Sequence, residues 1–317
     1  MLYVSTRNKV DAFTTYRALR SETAPDGGIF MPMNLPVLTD AQLAELELMS
    51  FGQSVAYIVN LFFGTKITGW DVDFAIGRQA AVLNEIGHKV FVSENWHNPA
   101  SEFDYFVRRL YALVYGEKFP KCKPNVWFST AMYIALLFGT YGRLCRKDVY
   151  KFDVAVQTLD LQQLFAIRYA QKMGLPVMKI ILGSLDGDGL WEFFSYGDYP
   201  TARENLPVGL EGLLWLEFGS QEIERYLCTV QNRGIYKLNP SDLEILRQGV
   251  FVAVVGNSRV NDVIVGTRRS IGYAMETDTA RAFGALQDYR AKYGENRNTL
   301  LLADTMLADI KSKLSER

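Results

Sequence analysis

From Phe152 onwards the chain alternates between two kinds of segment. Phe152-Asp-Val-Ala-Val is a short apolar run, Leu159 to Met173 has helical spacing, and Val177-Met-Lys-Ile-Ile-Leu is apolar again. Short runs separated by helix-length segments predict parallel strands joined by right-handed crossovers, because parallel neighbours cannot be linked by a tight turn. Phe251-Val-Ala-Val-Val, Val263-Ile-Val and Thr299-Leu-Leu-Leu-Ala read as further strands, with a helix over Asp278 to Lys292. A parallel sheet must be covered on both faces. The chain has the means: 317 residues, 49% hydrophobic and 22% charged, are enough for a large core and for two domains or subdomains.

The first half is more helical. Thr39-x-x-Gln42 is a capping box that opens a helix through Leu43, Leu46 and Met49. Val55, Ile58, Val59 and Phe62 repeat at helical spacing, as do Val72, Ile76, Ala80 and Leu83, so residues 39–87 are expected to form a small α-helical domain. Lys89 to Val92 reads as a short strand. Apolar residues at 103, 106, 107, 110 and 114 give the next helix one buried face. After a loop closed by two prolines, Lys118 to Pro124, the stretch Asn125 to Gly142 is apolar all round and should be buried on most sides. Ser220 to Asn232 is a helix ended by Gly234, Asn239-Pro240 opens another, and a charged helix is expected at the end of the chain.

Composition removes several function classes. The formal net charge is −1, so there is no basic field to attract nucleic acid or anionic lipid. Cys122, Cys145 and Cys228 are far apart and odd in number, which suits a reducing cytoplasm and makes no metal-ligand spacing. His88 and His97 are too few for a His-rich metal site, and none is expected. No charged-then-apolar leader and no apolar run of about 18 residues is present, so a cytoplasmic protein without membrane association is expected.

Near the start, Tyr3-Val-Ser-Thr-Arg reads as a strand, Phe13 to Ser21 as a helix, and Asp26-Gly-Gly-Ile-Phe-Met-Pro as a glycine turn into an extended run stopped by proline. This pair of motifs, together with Gly174-Leu-Pro and Gly197-Asp-Tyr, resembles threonine synthases, which open on Tyr-x-Ser-Thr-Arg and Ala-x-Asp-Gly-Gly-Leu-x-x-Pro. The resemblance is closest over residues 3–36 and 174–199 and extends more loosely over 272–310 and 94–170. It implies an α/β fold. Residues 94–317 would be the parallel-sheet large domain of the fold-type-II pyridoxal phosphate (PLP) enzymes, the tryptophan synthase β-like fold. Residues 1–93 would be an N-terminal helical subdomain with short strands. Between the Asp104 helix and the Asp153 strand the chain is too short for the family's Thr-Ser-Gly-Asp-Thr-Gly loop, so most of the small lobe that covers the cofactor is expected to be missing.

The resemblance also carries the site, position by position. The family's Phe-His-Gly-Pro-Thr-x-Ala-Phe-Lys-Asp segment matches His97, Pro99 and Phe103, and sets Asp104 where the Schiff-base lysine stands. A carboxylate cannot condense with the PLP aldehyde. The phosphate cradle, Ser-Gly-Asn-Phe-Gly-Asn in the family, becomes Thr158-Leu-Asp-Leu-Gln-Gln. Thr158, Asp160, Gln162 and Gln163 thus replace the residues whose backbone amides would meet an anion. Asp304 falls where the family has a Thr near the pyridine nitrogen, and Glu276-Thr-Asp-Thr-Ala keeps only Thr279 and Ala280 of Asp-Pro-His-Thr-Ala.

These readings point to a catalytically inactive threonine-synthase-like protein that binds a small ligand or a protein partner and needs no cofactor. Two alternatives stay open. A displaced lysine (Lys118, Lys121 or Lys123) would support PLP-dependent threonine synthesis or a related replacement or elimination reaction. His97, flanked by Glu94, Glu102 and Asp104, is either an acid–base cluster for cofactor-free chemistry or an inherited helix-cap residue. Gly183-Ser-Leu-Asp-Gly-Asp-Gly is read as an ordinary turn, since it lacks the order of a phosphate or calcium loop. The aromatic group Trp191, Phe193, Phe194, Tyr196 and Tyr199 is read as packing. Loss of the lobe would expose the Asn125 to Gly142 helix, so a homodimer is expected there, anchored by Trp127, Tyr133 and Phe138.

Overall fold

Side chains on a strand alternate between its two faces, so a central sheet needs two cores. The computed structural model describes residues 1–8, 10–77, 82–95, 103–116, 122–157, 161–199, 207–232 and 235–304. Near the N terminus, β1 (Leu2–Ser5), β2 (Phe13–Thr14) and β3 (Phe30–Pro32) make a small antiparallel sheet in the order β2-β1-β3. The remaining strands are β4 (Val82–Gly87), β5 (Val90–Glu94), β6 (Phe152–Gln157), β7 (Val177–Ser184), β8 (Asp198–Tyr199), β9 (Tyr236–Lys237), β10 (Val250–Val254) and β11 (Thr299–Ala303). Strands β8 and β9 pair as a separate ribbon. The others form one six-stranded sheet in the order β10-β7-β6-β11-β5-β4, parallel except for β4.

The two cores follow the pleat. Phe91, Val154, Val156, Ile180, Leu182, Leu300 and Leu302 face the larger one, which also holds the Phe51–Phe63, Val126–Cys145 and Gln162–Lys172 helices. Val90, Val92, Ala155, Ile181, Leu301 and Ala303 face a smaller core lined by the Asn257–Ile271 and Thr277–Tyr293 helices. Strand β11, last in sequence, lies in the middle of the sheet between β6 and β5. Its five residues are buried, as a strand with neighbours on both edges and helices on both faces must be.

The Val126–Cys145 helix is the centre of the larger core. Asn125 caps it, accepting from the Phe128 amide at 2.9 Å, while its own amide group donates to the Ala18 and Ser21 carbonyls. Gly139 is a close-approach position: a Cβ there would lie 2.7 Å from the Phe51 ring of the neighbouring helix. Trp127 meets Phe62 and Tyr169 edge-on or tilted, at 5.2 and 5.1 Å between ring centres. Burying a side chain of this size is worth roughly 1.5–3 kcal/mol. The capping box at Thr39 and Gln42 is present, and Ser50/Gln53 and Thr68/Asp71 form two more.

Three expectations need correcting. The helical series Val72, Ile76, Ala80, Leu83 stops at Ile76; Ala80 lies outside the described residues, and Leu83 belongs to β4. Strand β4 turns back through Gly87, His88 and Lys89, all at positive φ, and pairs antiparallel with β5. Residues 39–87 are therefore not all helical. Val263-Ile-Val is helical and lies within Asn257–Ile271. Its β-branched run imitated a strand, but the buried set Val260, Val263 and Thr267 has helical spacing. Finally, Trp127, Tyr133 and Phe138 are buried inside this one chain by helices from the first half. They offer no exposed anchors for a dimer. The expected loop from Lys118, Gly234 and the terminal helix fall wholly or partly outside the described residues. No described helix is long and apolar enough to cross a membrane.

Candidate functional site around Asp304

In an open α/β sheet, ligands sit beyond the carboxyl ends of parallel strands, where loops diverge and helix N-termini point inwards. Here β5, β6 and β11 end side by side, and the first residue past β11 is Asp304. Its carboxylate accepts three hydrogen bonds from three separate elements. Asn95 Nδ2, just past β5, donates to Oδ1 at 2.6 Å. The Tyr133 hydroxyl, from the Val126–Cys145 helix, donates to Oδ2 at 2.6 Å. Gln163 Nε2, from the helix after β6, donates to the same oxygen at 2.6 Å.

The donors are themselves held. Asn95 is buried, its backbone amide donates to the Ala303 carbonyl, and its Oδ1 accepts from Ser93 Oγ at 2.9 Å, which turns its NH2 towards Asp304. Tyr133 stacks on Phe103, with 3.5 Å between ring centres. Burial pushes the Asp304 carboxyl above the usual carboxylate range, and the nearby Asp278 charge adds to this; the three donors work in the opposite direction. Asp278 and Glu276, at the start of the Thr277–Tyr293 helix, are also raised, mainly by burial. At the end of β5 the buried Glu94 accepts from the Tyr273 hydroxyl, and burial followed by this bond raises the phenol pKa.

The structure unites some of the residues singled out from sequence and separates others. Asp304 and Gln163 are in contact. Gln162 turns away, donating to the Val126 carbonyl at 3.4 Å and to Thr130 Oγ1 at 3.3 Å. Asp104 is exposed and paired with Arg108 at 2.6 Å, one turn along the surface of the Phe103–Tyr115 helix. Glu94 is buried at a strand end, so an acid–base cluster with Asp104 has its carboxylates in different settings. His97, Glu102, Thr158, Asp160, Lys118 and Lys121 lie outside the described residues, and Lys123 is exposed.

The Gly183 to Gly189 turn closes on itself. Asp188 accepts from Ser184 Oγ and from the Leu185 and Leu190 amides at 2.7–2.9 Å. Phe193, Phe194 and Tyr199 are core, whereas Trp191 and Tyr196 stay partly exposed. Among the described residues no group of three metal-ligating side chains occurs. Sequence reasoning missed Asn95 and Tyr133 as site residues. Their signals were a polar residue directly after an apolar strand, and a hydroxyl in the middle of an apolar helix. Each is weak by itself.

The N-terminal motif has a structural use. Ser5 Oγ donates to Asp26, the Gly28 amide donates to the same carboxylate, and the Ile29 amide donates to Thr6 Oγ1. Thr6 and Arg7 in turn bind Glu211, on the Val208–Phe218 helix.

Comparison with known proteins agrees with this architecture. Residues 2–78 match the family described as "Threonine synthase N terminus". Threonine synthase-like 2 of Homo sapiens is 32% identical over 112 residues, which are 32% of this chain and 23% of that protein; the Pongo abelii protein of the same name matches equally. The matched stretch is thus under a quarter of those relatives' length. Among solved structures, PLP-bound threonine synthase from Brucella melitensis superimposes with a TM-score of 0.79 at 16% identity, covering 100% of this chain and 91% of that one. Yeast threonine synthase gives 0.78 at 15%, covering 99% and 90%, and the Escherichia coli enzyme 0.71 at 14%, covering 100% and 91%. At such identities the superpositions speak for the fold. Residues 2–78 therefore resemble the N terminus of threonine synthases, and the chain as a whole has the α/β fold of these solved threonine synthases.

Proposed function

We propose that this protein is a catalytically inactive relative of threonine synthase that acts by binding a small ligand or a protein partner. The observation that carries the reading is Asp104. It stands where the resemblance places the PLP lysine, yet its side chain is exposed and tied to Arg108 on the helix surface. No amine is offered there to an aldehyde. The phosphate side gives further support. A Cβ on Gly209 would lie 2.3 Å from the Gln162 nitrogen, so the Val208–Phe218 helix packs against the amide that a phosphate would need. A shortened second lobe and a cytoplasmic location belong to the same reading.

PLP dependence through a displaced lysine is the second reading, favoured by the fold of the PLP-bound neighbour. Absorbance separates the two. Purified protein mixed with excess PLP should develop no visible aldimine band, and borohydride should trap no adduct. A stoichiometric adduct on any lysine would overturn the proposal.

A further inference from the structure

Three donors from three elements converge on one carboxylate at the end of the sheet, and that carboxylate belongs to the chain itself. We propose that Asp304 is a built-in ligand. Its carboxylate fills a small-carboxylate site formed by Asn95, Tyr133 and Gln163, and the site will bind a free carboxylate when Asp304 is shortened.

The geometry carries this. Both oxygens are engaged, Oδ1 by Asn95 and Oδ2 by Tyr133 and Gln163, each at 2.6 Å. That is the short end of the range for charge-assisted bonds. The donors keep their positions for reasons independent of Asp304. The Asn95 amide is oriented by Ser93 and by the backbone bond to Ala303, Tyr133 lies against Phe103 in a packed core, and Gln163 stands on the first turn of a helix. A site whose parts are fixed by other contacts retains its shape when the occupant is removed. Buried amide groups without an acceptor are costly, so an empty triad favours an anion of the right size.

One consequence follows for the wild-type protein. While Asp304 occupies the triad, a ligand bearing a carboxylate, such as an amino acid, cannot seat that group here. It would compete with a covalently tethered rival and meet like charge from Asp304 and Asp278. A ligand of the intact protein at these strand ends therefore presents something other than a carboxylate to Asn95, Tyr133 and Gln163.

Chemical rescue tests the proposal on the full chain. Asp304→Ala deletes a group the size of formate, and Asp304→Gly deletes one the size of acetate. Thermal unfolding should show a lowered Tm for both. Formate should then raise the Tm of Asp304→Ala saturably, by about 2–4 °C, whereas acetate should be the better ligand for Asp304→Gly. Chloride at equal ionic strength should do neither, wild type should not respond, and adding Gln163→Leu should abolish the rescue. No saturable shift in either variant, the same shift in wild type, or rescue that survives Gln163→Leu would overturn the assignment. If Asp304→Ala does not fold unaided, refolding yield with and without formate becomes the readout, and an equal yield counts against the proposal. The outcome is independent of whether wild type takes up PLP, so this inference and the reading above can fail separately.

Discussion

Thr6 and Glu211 lie 205 residues apart and share a hydrogen bond, in which the Thr6 hydroxyl donates to the buried Glu211 carboxylate. Arg7 adds a second donor group, with Nη2 at 3.1 Å from Oε2. The opening strand is thereby tied to the Val208–Phe218 helix across the molecule. Glu211→Ala should leave the Thr6 hydroxyl without its acceptor and a partly buried guanidinium with only the Asp26 carbonyl, a loss of about 1–3 kcal/mol, the range for a buried donor left unsatisfied. Urea unfolding monitored by Trp fluorescence measures it. A loss below about 0.5 kcal/mol, the size of an ordinary surface change, would show that the tie is ornamental.

Two glycines should respond in opposite directions to alanine. At Gly209 a Cβ would lie 2.1 Å from the Leu161 carbonyl carbon, and backbone cannot rotate away as a side chain can. Gly209→Ala should cost about 1–3 kcal/mol or more through forced separation of two helices. Gly266 sits inside the Asn257–Ile271 helix with open space where its Cβ would be. Gly266→Ala should stabilise by about 0.8–1.0 kcal/mol from helix propensity alone. Thermal melts of the two variants side by side decide the matter.

Asp153 makes stability depend on pH in an unusual sense. It is buried at the start of β6, and desolvation is the largest influence on it, raising its pKa against the pull of Arg297, Lys179 and Arg290. Arg297 is its loose ion-pair partner, at 3.6 Å. A carboxyl with a folded pKa above its unfolded value binds more protons in the native state. Its stabilising share is then present below the unfolded pKa, about 3.9, and is lost as pH rises through the folded value. Asp153→Asn imitates the neutral form at every pH. Relative to wild type, the variant should therefore gain stability as pH is raised from about 3.5 upwards, and the gain should level off above the folded pKa. Denaturant midpoints across that range provide the check; a gain that shrinks with rising pH would contradict the direction.

Asp104→Lys should not restore a PLP site. Position 104 is on an exposed helix surface, and the new ammonium would stand one turn from Arg108, exchanging an ion pair for like-charge contact. The variant supplied with PLP should gain no saturable visible band, and with O-phosphohomoserine it should form no threonine. A stoichiometric aldimine at residue 104 would mean that this helix turns its first residues towards the cofactor position in solution.

Much of the architecture was legible because it rests on local rules. The Thr39 capping box, the short apolar runs of β6 and β7, and the all-round apolar helix after Asn125 are statements about neighbours in sequence, and they reappear in the structure. The two misread segments show where local rules run out. Val263-Ile-Val has strand composition but helical burial, and Leu83 continued a helical series into a strand, because sheet pairing with β5 outweighed a weak propensity.

What sequence alone determined was therefore the class of fold and the likeness to threonine synthases. Tertiary structure alone decided what surrounds Asp304. Asn95, Tyr133, Gln163 and Asp304 come from a strand end, the middle of a helix, a helix start and the end of the central strand, and no spacing rule links them. The structure likewise reversed the expectation for Trp127, Tyr133 and Phe138, which cover themselves with the chain's own first half. The physical reason is the same in both cases. Burial and hydrogen bonding are satisfied by whatever the fold brings close, and β11, last in sequence and central in the sheet, is placed only when strands up to 209 residues earlier have formed around it.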